Sequence, residues 1–590
     1  MPYSGGASEF GVRPAAMGRR GMVVSANPLA SHAGLQMLAA GGNAVDAAIA
    51  AAVAITVVEP YHSSIGGVGI AVITLPGAET RTLNFLGCSP LAARPEGFTE
   101  KTRDVGVLAP MVPGNVAGWA RIHDEYGSLP LAKVLEPAIE LAERGSPVTI
   151  FDYVQSTKSI DRITPFPESV RTYLKNGRPY KPGESFSQPQ LAASLRMLAA
   201  DGWMSFYEGR IGRAMSKFLA DRGGIITADD LRNYPGTLKW QTPVSAHYRG
   251  HEFRTPPPPS SAVQILQTLR ILESFDLKAM DPLGPDYIGL VAEAIRLARM
   301  DAATHIADPL FVDVPLDWML SDGRIAELRG VVSRRVKAAL GKAGRGKAAR
   351  SSASGRGRRG GAAAGRIRRA GTAPEQSTTH LGAADGSGLA VNITQTIGGG
   401  YGSGVVVGDT GIVLNNGHFW CTRITGNHKV IASNERRASP SSPLHTFPAD
   451  GPPVRPTHSF GIDCLGPAHA TRRGRLAFII GTPGSYGIPQ TTAQMILGLV
   501  EFGRTIQDAI AAPRFRWKDD IGDPLPPAVI LLEGRYPNAV RKALASRGYR
   551  LEILEDWSMV VGGGQGVLFR EDGWMQGGGD PRRNSYALGW

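Results

Sequence analysis

Residues 331 to 370 contain thirteen Lys and Arg and no Asp or Glu, set in Gly, Ala and Ser with almost no large apolar side chain. This run constrains the fold more than any other stretch of the chain. It cannot bury enough apolar surface to offset its ordering entropy, so it reads as disordered from about Val331 to Ala370. The 590 residues must then build their core from two stretches, one on each side of the tract. The formal charge of +13 belongs to the tract as well, because the rest of the chain balances 51 basic against 51 acidic residues. The net charge is therefore a property of one segment and not of a basic binding face.

Directly after the tract comes Gln376-Ser377-Thr378-Thr379-His380, followed by an alternating apolar run. A threonine hydroxyl inside a chain is a weak nucleophile. If cleavage makes that threonine an N-terminus, its own α-amino group can take the hydroxyl proton. Such an amine has an unperturbed pKa of about 7.7 to 8, so much of it is neutral near neutral pH. A cleavable tail that ends where Thr378 begins a strand suggests self-processing that exposes Thr378. The same threonines also suit an ordinary strand start, and the junction alone leaves both readings open.

Asn27-Pro28 reads as a helix start, with Asn as N-cap and Pro at the first helical position, and Gly41-Gly42 as its end. Asn43 with Asp46 reads as a capping box opening a second helix, which gives both residues a structural role. Strands are expected at Gly69 to Leu75 and Glu79 to Gly87. From Leu129 to about Asp308 the apolar spacing is mostly helical, as in LAKVLEPAIELAERG, SAVQILQTLRILESFD and YIGLVAEAIRLARMDAATHIADP. After Thr378 the pattern turns strand-rich: LAVNITQT, GVVVG, GIVLNN and RLAFIIG. A helix QTTAQMILGLVEFG and strands AVILLEG, YRLEILE and QGVLFRE follow. This order suits a layered α/β sandwich formed by both halves together.

Several chemistries are excluded or carry no weight. Cys88, Cys421 and Cys464 are too few and too scattered for a disulfide framework, and they point weakly to a reducing compartment. The first twenty residues show no secretory pattern, so a cytoplasmic location is expected. The alanine-rich stretch Met37 to Val58 is broken by Gly41-Gly42-Asn43 and Asp46, and reads as a buried helix rather than a membrane span. Gly400-Tyr401-Gly402-Ser403-Gly404 lacks the context of a nucleotide loop. The twelve His show no metal-ligand spacing, so neither a metal nor a cofactor is expected. In Gly481-Thr482-Pro483-Gly484-Ser485-Tyr486-Gly487, which lies between a strand and a helix, successive N–H groups can face an oxyanion; an ordinary turn has the same composition.

An ordered set of short motifs runs through the chain. It begins with Gly21-Met22-Val23-Val24-Ser25-Ala26-Asn27-Pro28, Gly41-Gly42-Asn43-Ala44-Val45-Asp46-Ala47-Ala48, Glu59-Pro60 and Ile65-Gly66-Gly67-Val68-Gly69. Val112-Pro113-Gly114-Asn115-Val116-Ala117-Gly118 and Pro257-Pro258-Pro259-Ser260-Ser261 follow. The second half carries Thr378-Thr379-His380, Leu414-Asn415-Asn416, Gly481-Thr482-Pro483-Gly484, Ala512-Pro513-Arg514-Phe515 and Asp580-Pro581-Arg582. In this order and spacing the chain resembles the γ-glutamyltransferase (γ-glutamyltranspeptidase) family of N-terminal nucleophile hydrolases. The resemblance implies a precursor that cleaves itself between Ser377 and Thr378. It also implies a four-layer αββα sandwich built jointly by the two products. The parts would be a flexible N-terminus (1–20), a large subunit (21–330), a linker ending at the cleavage site (331–377) and a small subunit (378–590). By the same resemblance Thr378 is the nucleophile. Thr394 matches the second threonine that supports it, and Gly484 and Ser485 match the oxyanion hole. Thr396 falls where an Asn often contacts substrate, and Arg94 lies near the arginine that holds a substrate carboxylate. Asn416, with His458 and Ser459 of Pro456-Thr457-His458-Ser459, completes the expected substrate-binding set.

The departures bear on substrate. Members that transfer a glutamyl group carry an Asp shortly after the Asn-Asn pair, to bind the substrate ammonium. Here Asn415-Asn416 is followed by Gly417-His418-Phe419-Trp420-Cys421. An ammonium without its carboxylate loses a charge-assisted bond of roughly 1.5 to 3 kcal/mol. Hydrolysis is therefore expected over transfer, with weak γ-glutamyl activity unless Asp409 or Glu435 folds into the site. The small-molecule amide would then be one handled by acylase-like or amidohydrolase-like members. The alternative is a catalytically idle scaffold whose basic tract binds polyanions. That tract has no aromatic residue to stack on bases, so nucleic acid is not the expected partner.

Overall fold

The computed structural model describes residues 12–310, 313–351, 367–369, 376–420, 465–518 and 529–590. Two seven-stranded sheets dominate it. Their strands in chain order are β1 (Ala16–Gly18), β2 (Gly21–Ser25), β3 (Val68–Thr74), β4 (Thr80–Phe85), β5 (Trp240–Gln241), β6 (Val244–Tyr248) and β7 (His251–Thr255). The second half adds β8 (Gln376–Asp385), β9 (Ala390–Gly399), β10 (Ala468–Arg472), β11 (Arg475–Gly481), β12 (Gln565–Phe569), β13 (Met575–Gly579) and β14 (Tyr586–Gly589). One sheet has the order β14-β2-β8-β9-β3-β4-β5 and the other β1-β13-β12-β11-β10-β7-β6. Each of these two sheets combines strands from both sides of the basic tract, so neither half completes one by itself.

The period-two alternation of β8 and β9 assigns their two faces. Leu381, Ala383, Val391 and Ile393 pack into a helical core with α1 (Pro28–Ala39), α2 (Ala44–Val58), α3 (Leu131–Arg144) and α4 (Pro189–Asp201). Ala384 and Ala390 turn the other way and meet Ile479, Val567 and Met575 of the opposite sheet. Outside that sheet lie α5 (Val263–Leu272), α6 (Pro285–His305), α7 (Asp322–Ser351), α8 (Ile488–Val500) and α9 (Ile506–Ala511). The four layers are helix, sheet, sheet, helix, as the resemblance implied.

Helix α2 is buried along its whole length, and its small alanines let it sit between α1 and the sheet. The capping box forms: Asn43 accepts from the N–H groups of Val45 and Asp46, and Asp46 accepts from Asn43 N at 2.8 Å. Among the described residues no helix is long and apolar enough to cross a membrane.

The sequence reading fails at two places. The tract expected to be disordered from Val331 is helical through Ser351, as the C-terminal part of α7. Ile325, Leu328 and Val332 lie on one helical face and are buried in the second core. They dock the start of the helix, after which Ala, Lys and Arg extend it cheaply, being strong helix formers. Residues 352–366 lie outside the described residues, and Ile367–Arg369 forms a short strand parallel to Arg550–Ile553. The runs GVVVG and GIVLNN are not sheet strands. Gly402, Gly404, Gly408 and Gly411 all have positive φ and fold this segment back on itself, leaving isolated bridges between Val406 and Val413 and between Leu414 and Gly66. Val405, Val407, Ile412 and Leu414 fill the first core, and their backbones bond one another, Leu414 N to Val405 O at 3.0 Å and Val407 N to Ile412 O at 2.9 Å, without joining a sheet.

The two sheets are also joined by buried histidines. His469 Nδ1 lies 2.7 Å from Thr74 Oγ1 across the interface. Burial, with His380 and Arg254 nearby, pushes His469 down to about 3. The unfolded chain takes this proton below about pH 6.5 and the fold does not, so stability is lost as pH falls through 6.5. Replacing His469 by Gln should shrink the loss of unfolding free energy between pH 7.5 and pH 5 by about 2 kcal/mol. Denaturant titrations of both proteins at the two pH values measure this, and equal pH dependence would contradict it.

Candidate functional site

The hairpin of β8 and β9 pairs Thr378 with Thr396 and His380 with Thr394, with a bulge between Ser377 and Thr378. The even-numbered residues of both strands face the opposite sheet, so these four side chains share one buried surface. Thr378 is 3% exposed. Its hydroxyl donates to Thr396 Oγ1 at 3.2 Å. The Thr396 hydroxyl in turn donates to the carbonyl of Ser377, and Thr396 Oγ1 accepts from Gly398 N at 2.9 Å. Two hydroxyls and the carbonyl of the bond before Thr378 are thus brought into one cluster.

This register corrects two expectations. Thr396, expected to meet substrate, is the threonine on the Thr378 hydroxyl. Thr394, expected there, hydrogen-bonds His380 Nδ1 at 2.8 Å. Both threonines lie on the correct face, and the sequence alone does not say which one the hairpin sets opposite Thr378. Burial lowers His380 to about 3, so it stays neutral. A Cβ on Gly481 would fall 2.2 Å from its ring, which accounts for glycine there.

Gly484 and Ser485 stand at φ 133° and 56°, at the mouth of the turn into α8. Strand β8 packs against this turn. Their positive φ values, in the left-handed region that favours glycine, mark a sharply turned backbone.

Asn416 accepts from Gly399 N at 2.9 Å and donates to Asp104 Oδ1 at 2.7 Å. Asp104 in turn takes Arg162 through both oxygens, at 2.9 and 3.2 Å. Arg162 also donates to the carbonyls of Asp104 and Gly402, each at 2.9 Å. A Cβ on Gly399, the partner of Gln376, would fall 3.0 Å from the Arg162 guanidinium. The ion pair therefore flanks the strand positions next to Ser377. Asn415 has a structural task, bridging Gly66 and Met111.

Arg94 is exposed and spends its guanidinium on Leu91 O and Ala93 O of its own turn. Asp409 is exposed and pairs with Arg171 at 2.7 Å. His458, Ser459 and Glu435 lie outside the described residues. Among the described residues no group of three His, Cys, Asp or Glu has the arrangement to hold a metal ion.

Sequence reasoning missed Asp104, Arg162 and a second group behind Thr378. Arg583 Nη1 donates to Thr378 O at 2.9 Å, and Glu59 Oε2 lies 3.0 Å from His62 Nδ1 beside it. Burial lifts Glu59 to about 7, against the pull of Arg583 and Asn27. Position next to a motif was the available signal: His62 follows Glu59-Pro60, and Arg583 follows Asp580-Pro581-Arg582. Those motif residues form a buried ionic core, with Asp580 2.5 Å from Arg514 and Arg582 2.6 Å from Glu533. Burial opposes ionisation of Asp580, yet the two arginines hold it down at about 2.

The profile of the gamma-glutamyltranspeptidase family matches residues 30–590. The chain belongs to that family. It is 34% identical over 576 residues to the acylase ACY 1 proenzyme of Pseudomonas sp. (strain SE83), covering 95% of this chain and 92% of that one. It is 31% identical over 597 residues to the glutathione hydrolase proenzyme of Escherichia coli (strain K12), covering 98% and 93%. The crystal structure of cephalosporin acylase from Bacillus halodurans superposes with a TM-score of 0.78 at 28% identity, over 100% of this chain and 99% of that one. As a family member the protein is an enzyme, an autoprocessed amide hydrolase or acyltransferase made as one precursor.

In this family member Gly398 adjoins the hydroxyl cluster with φ 98°, and a Cβ there would fall 1.8 Å from Asn416 Oδ1. Gly398→Ala should displace Asn416 and destabilise the fold by about 2 kcal/mol or more. Thermal unfolding of the purified variant measures the loss, and an unchanged midpoint would contradict it.

Proposed function

We propose that Thr378 first cuts the chain at the Ser377–Thr378 bond and then serves as the nucleophile on a small amide substrate. The observation that carries this reading is the Thr378–Thr396–Ser377 cluster. The Thr378 hydroxyl gives its proton towards Thr396 as its oxygen attacks the Ser377 carbonyl carbon, while Thr396 donates to the carbonyl oxygen. The C–N bond breaks and the nitrogen leaves with the proton, giving an ester between Ser377 and the Thr378 oxygen. Water hydrolyses that ester, restoring the hydroxyl and leaving a free α-amine on Thr378. In turnover that amine is the base, and the N–H groups of Gly484 and Ser485 receive the oxyanion of the tetrahedral intermediate. Water or an acceptor amine then releases the acyl group from Thr378.

We infer further that the preferred acyl group carries no α-ammonium. Among the described residues, Asp104 is the carboxylate that Asn416 bonds, and it is already committed to Arg162 and Asn416. The pair is neutral as a unit, so it does not offer an ammonium an unspent charge. The identity with an acylase proenzyme supports the same choice.

Thr378→Ala should remain one intact chain, and Thr396→Val should slow cleavage at least tenfold, both read by gel and intact mass after timed incubation. Cleavage of Thr378→Ala at the wild-type rate would contradict the proposal. Processed wild type should favour a glutaryl anilide over a γ-glutamyl anilide by about tenfold or more in kcat/KM. The two compounds differ only in the α-amino group, and a strong preference for the γ-glutamyl compound would overturn the substrate inference.

A further inference from the structure

Cleavage changes how Thr378 is held. In the intact chain Thr378 is tethered on both sides, by the peptide bond to Ser377 and by strand β8 beyond it. After cleavage the upstream tether is gone, and the new amine is free to swing unless the carbonyl side of the residue is fixed. The α-amine must stay within reach of its own hydroxyl to act as base, and a small misplacement of a reacting group is costly in rate.

The carbonyl side has a dedicated partner. Arg583 is 6% exposed and donates to Thr378 O at 2.9 Å. Its stem lies over Gly563, where a Cβ would fall 2.5 Å from Arg583 Cδ, so the glycine leaves the arginine its path. Glu59, fully buried, lies behind it with His62 between them, and burial lifts its carboxyl to about 7 against the pull of Arg583. His62 Nδ1 lies 3.0 Å from Glu59 Oε2 and 3.3 Å from Arg583 Nη1, so the ring sits at the junction of the two side chains. The guanidinium packs against His62 and presents one N–H to the nucleophile's own carbonyl. Long polar side chains are seldom buried without partners, and this one is aimed at a backbone atom of the residue that performs the chemistry.

We propose that Arg583, backed by Glu59 and His62, is the positioning residue that holds Thr378 and its α-amine in place once the chain has been cut. The proposal rests on Thr378 being the nucleophile, and it makes a distinction a general structural role would not. Self-cleavage, in which Thr378 is still tethered on both sides, needs Arg583 little. Turnover, in which one tether is left, needs it much.

The test compares wild type, Arg583→Met, Arg583→Lys and Gly563→Ala as full-length chains. Cleavage is followed by intact mass, and kcat and KM are measured on an anilide with the cleaved protein. Arg583→Met should cleave within about threefold of the wild-type rate, yet lose about ten- to hundredfold in kcat with KM little changed. Arg583→Lys, which keeps a donor and a charge, should recover most of that loss. Gly563→Ala, which displaces the stem and keeps the guanidinium, should lower kcat in the same sense. It decides the matter if Arg583→Met does not accumulate folded. Unchanged kcat in both Arg583→Met and Gly563→Ala overturns the proposal, as does equal loss of cleavage and turnover that lysine does not restore. A wild-type protein that never exposes Thr378 fails the underlying reading instead, and that outcome is visible before any variant is made.

Discussion

The hairpin register that sets Thr378 opposite Thr396 is the constraint on which the rest of the site depends. A shift by one residue would turn the whole even-numbered face of β8 into the helical core, and a shift by two would set Thr394 against Thr378. Register is held from both sides of the chain. Strand β2 pairs with β8 on one flank and β3 pairs with β9 on the other. Both flanking strands lie before the basic tract, so the Thr378 hairpin is clamped by the half of the molecule from which cleavage would separate it. This explains why the products of such a cut stay together: each sheet contains strands from both.

Around that hairpin the buried polar groups are arranged by sign. His380 and His469 are kept neutral by burial between the sheets, where a charge would be costly. The charged groups are instead gathered in sets: Asp104 with Arg162, Arg583 beside His62 and the buried Glu59 carboxyl, and Asp580 and Glu533 with Arg514 and Arg582. The first flanks the side from which the chain enters Thr378. The second touches its carbonyl. The third locks the C-terminal segment that carries Arg583. Gathered in this way, these groups fix backbone positions around the hairpin.

Much of this was legible in the sequence wherever the signal was local. The caps at Asn27 and Asn43, the long helical periodicities and the strand RLAFIIG needed only neighbouring residues, and they form as read. The family's fold followed from an ordered set of motifs. The misreadings arose where distant residues decide. Val405 to Leu414 look like strands by composition, but left-handed glycines turn them into core plugs. The basic tract looked disordered by charge, while Ile325 and Leu328 before it and Val332 at its start dock the beginning of a helix that runs into it. The choice between Thr394 and Thr396 depended on a pairing register, and the Asp104–Arg162 pair on a fold that brings a turn and a short helix together. No residue pattern near Asn416 announces that carboxylate.

The central claim is that the Ser377–Thr378 bond is where this chain cuts itself. Intact mass and N-terminal sequencing of the purified wild-type protein test it most directly. The account predicts two associated fragments, the smaller beginning Thr378-Thr379-His380. A persistently intact chain, or a small fragment with any other N-terminus, would contradict it.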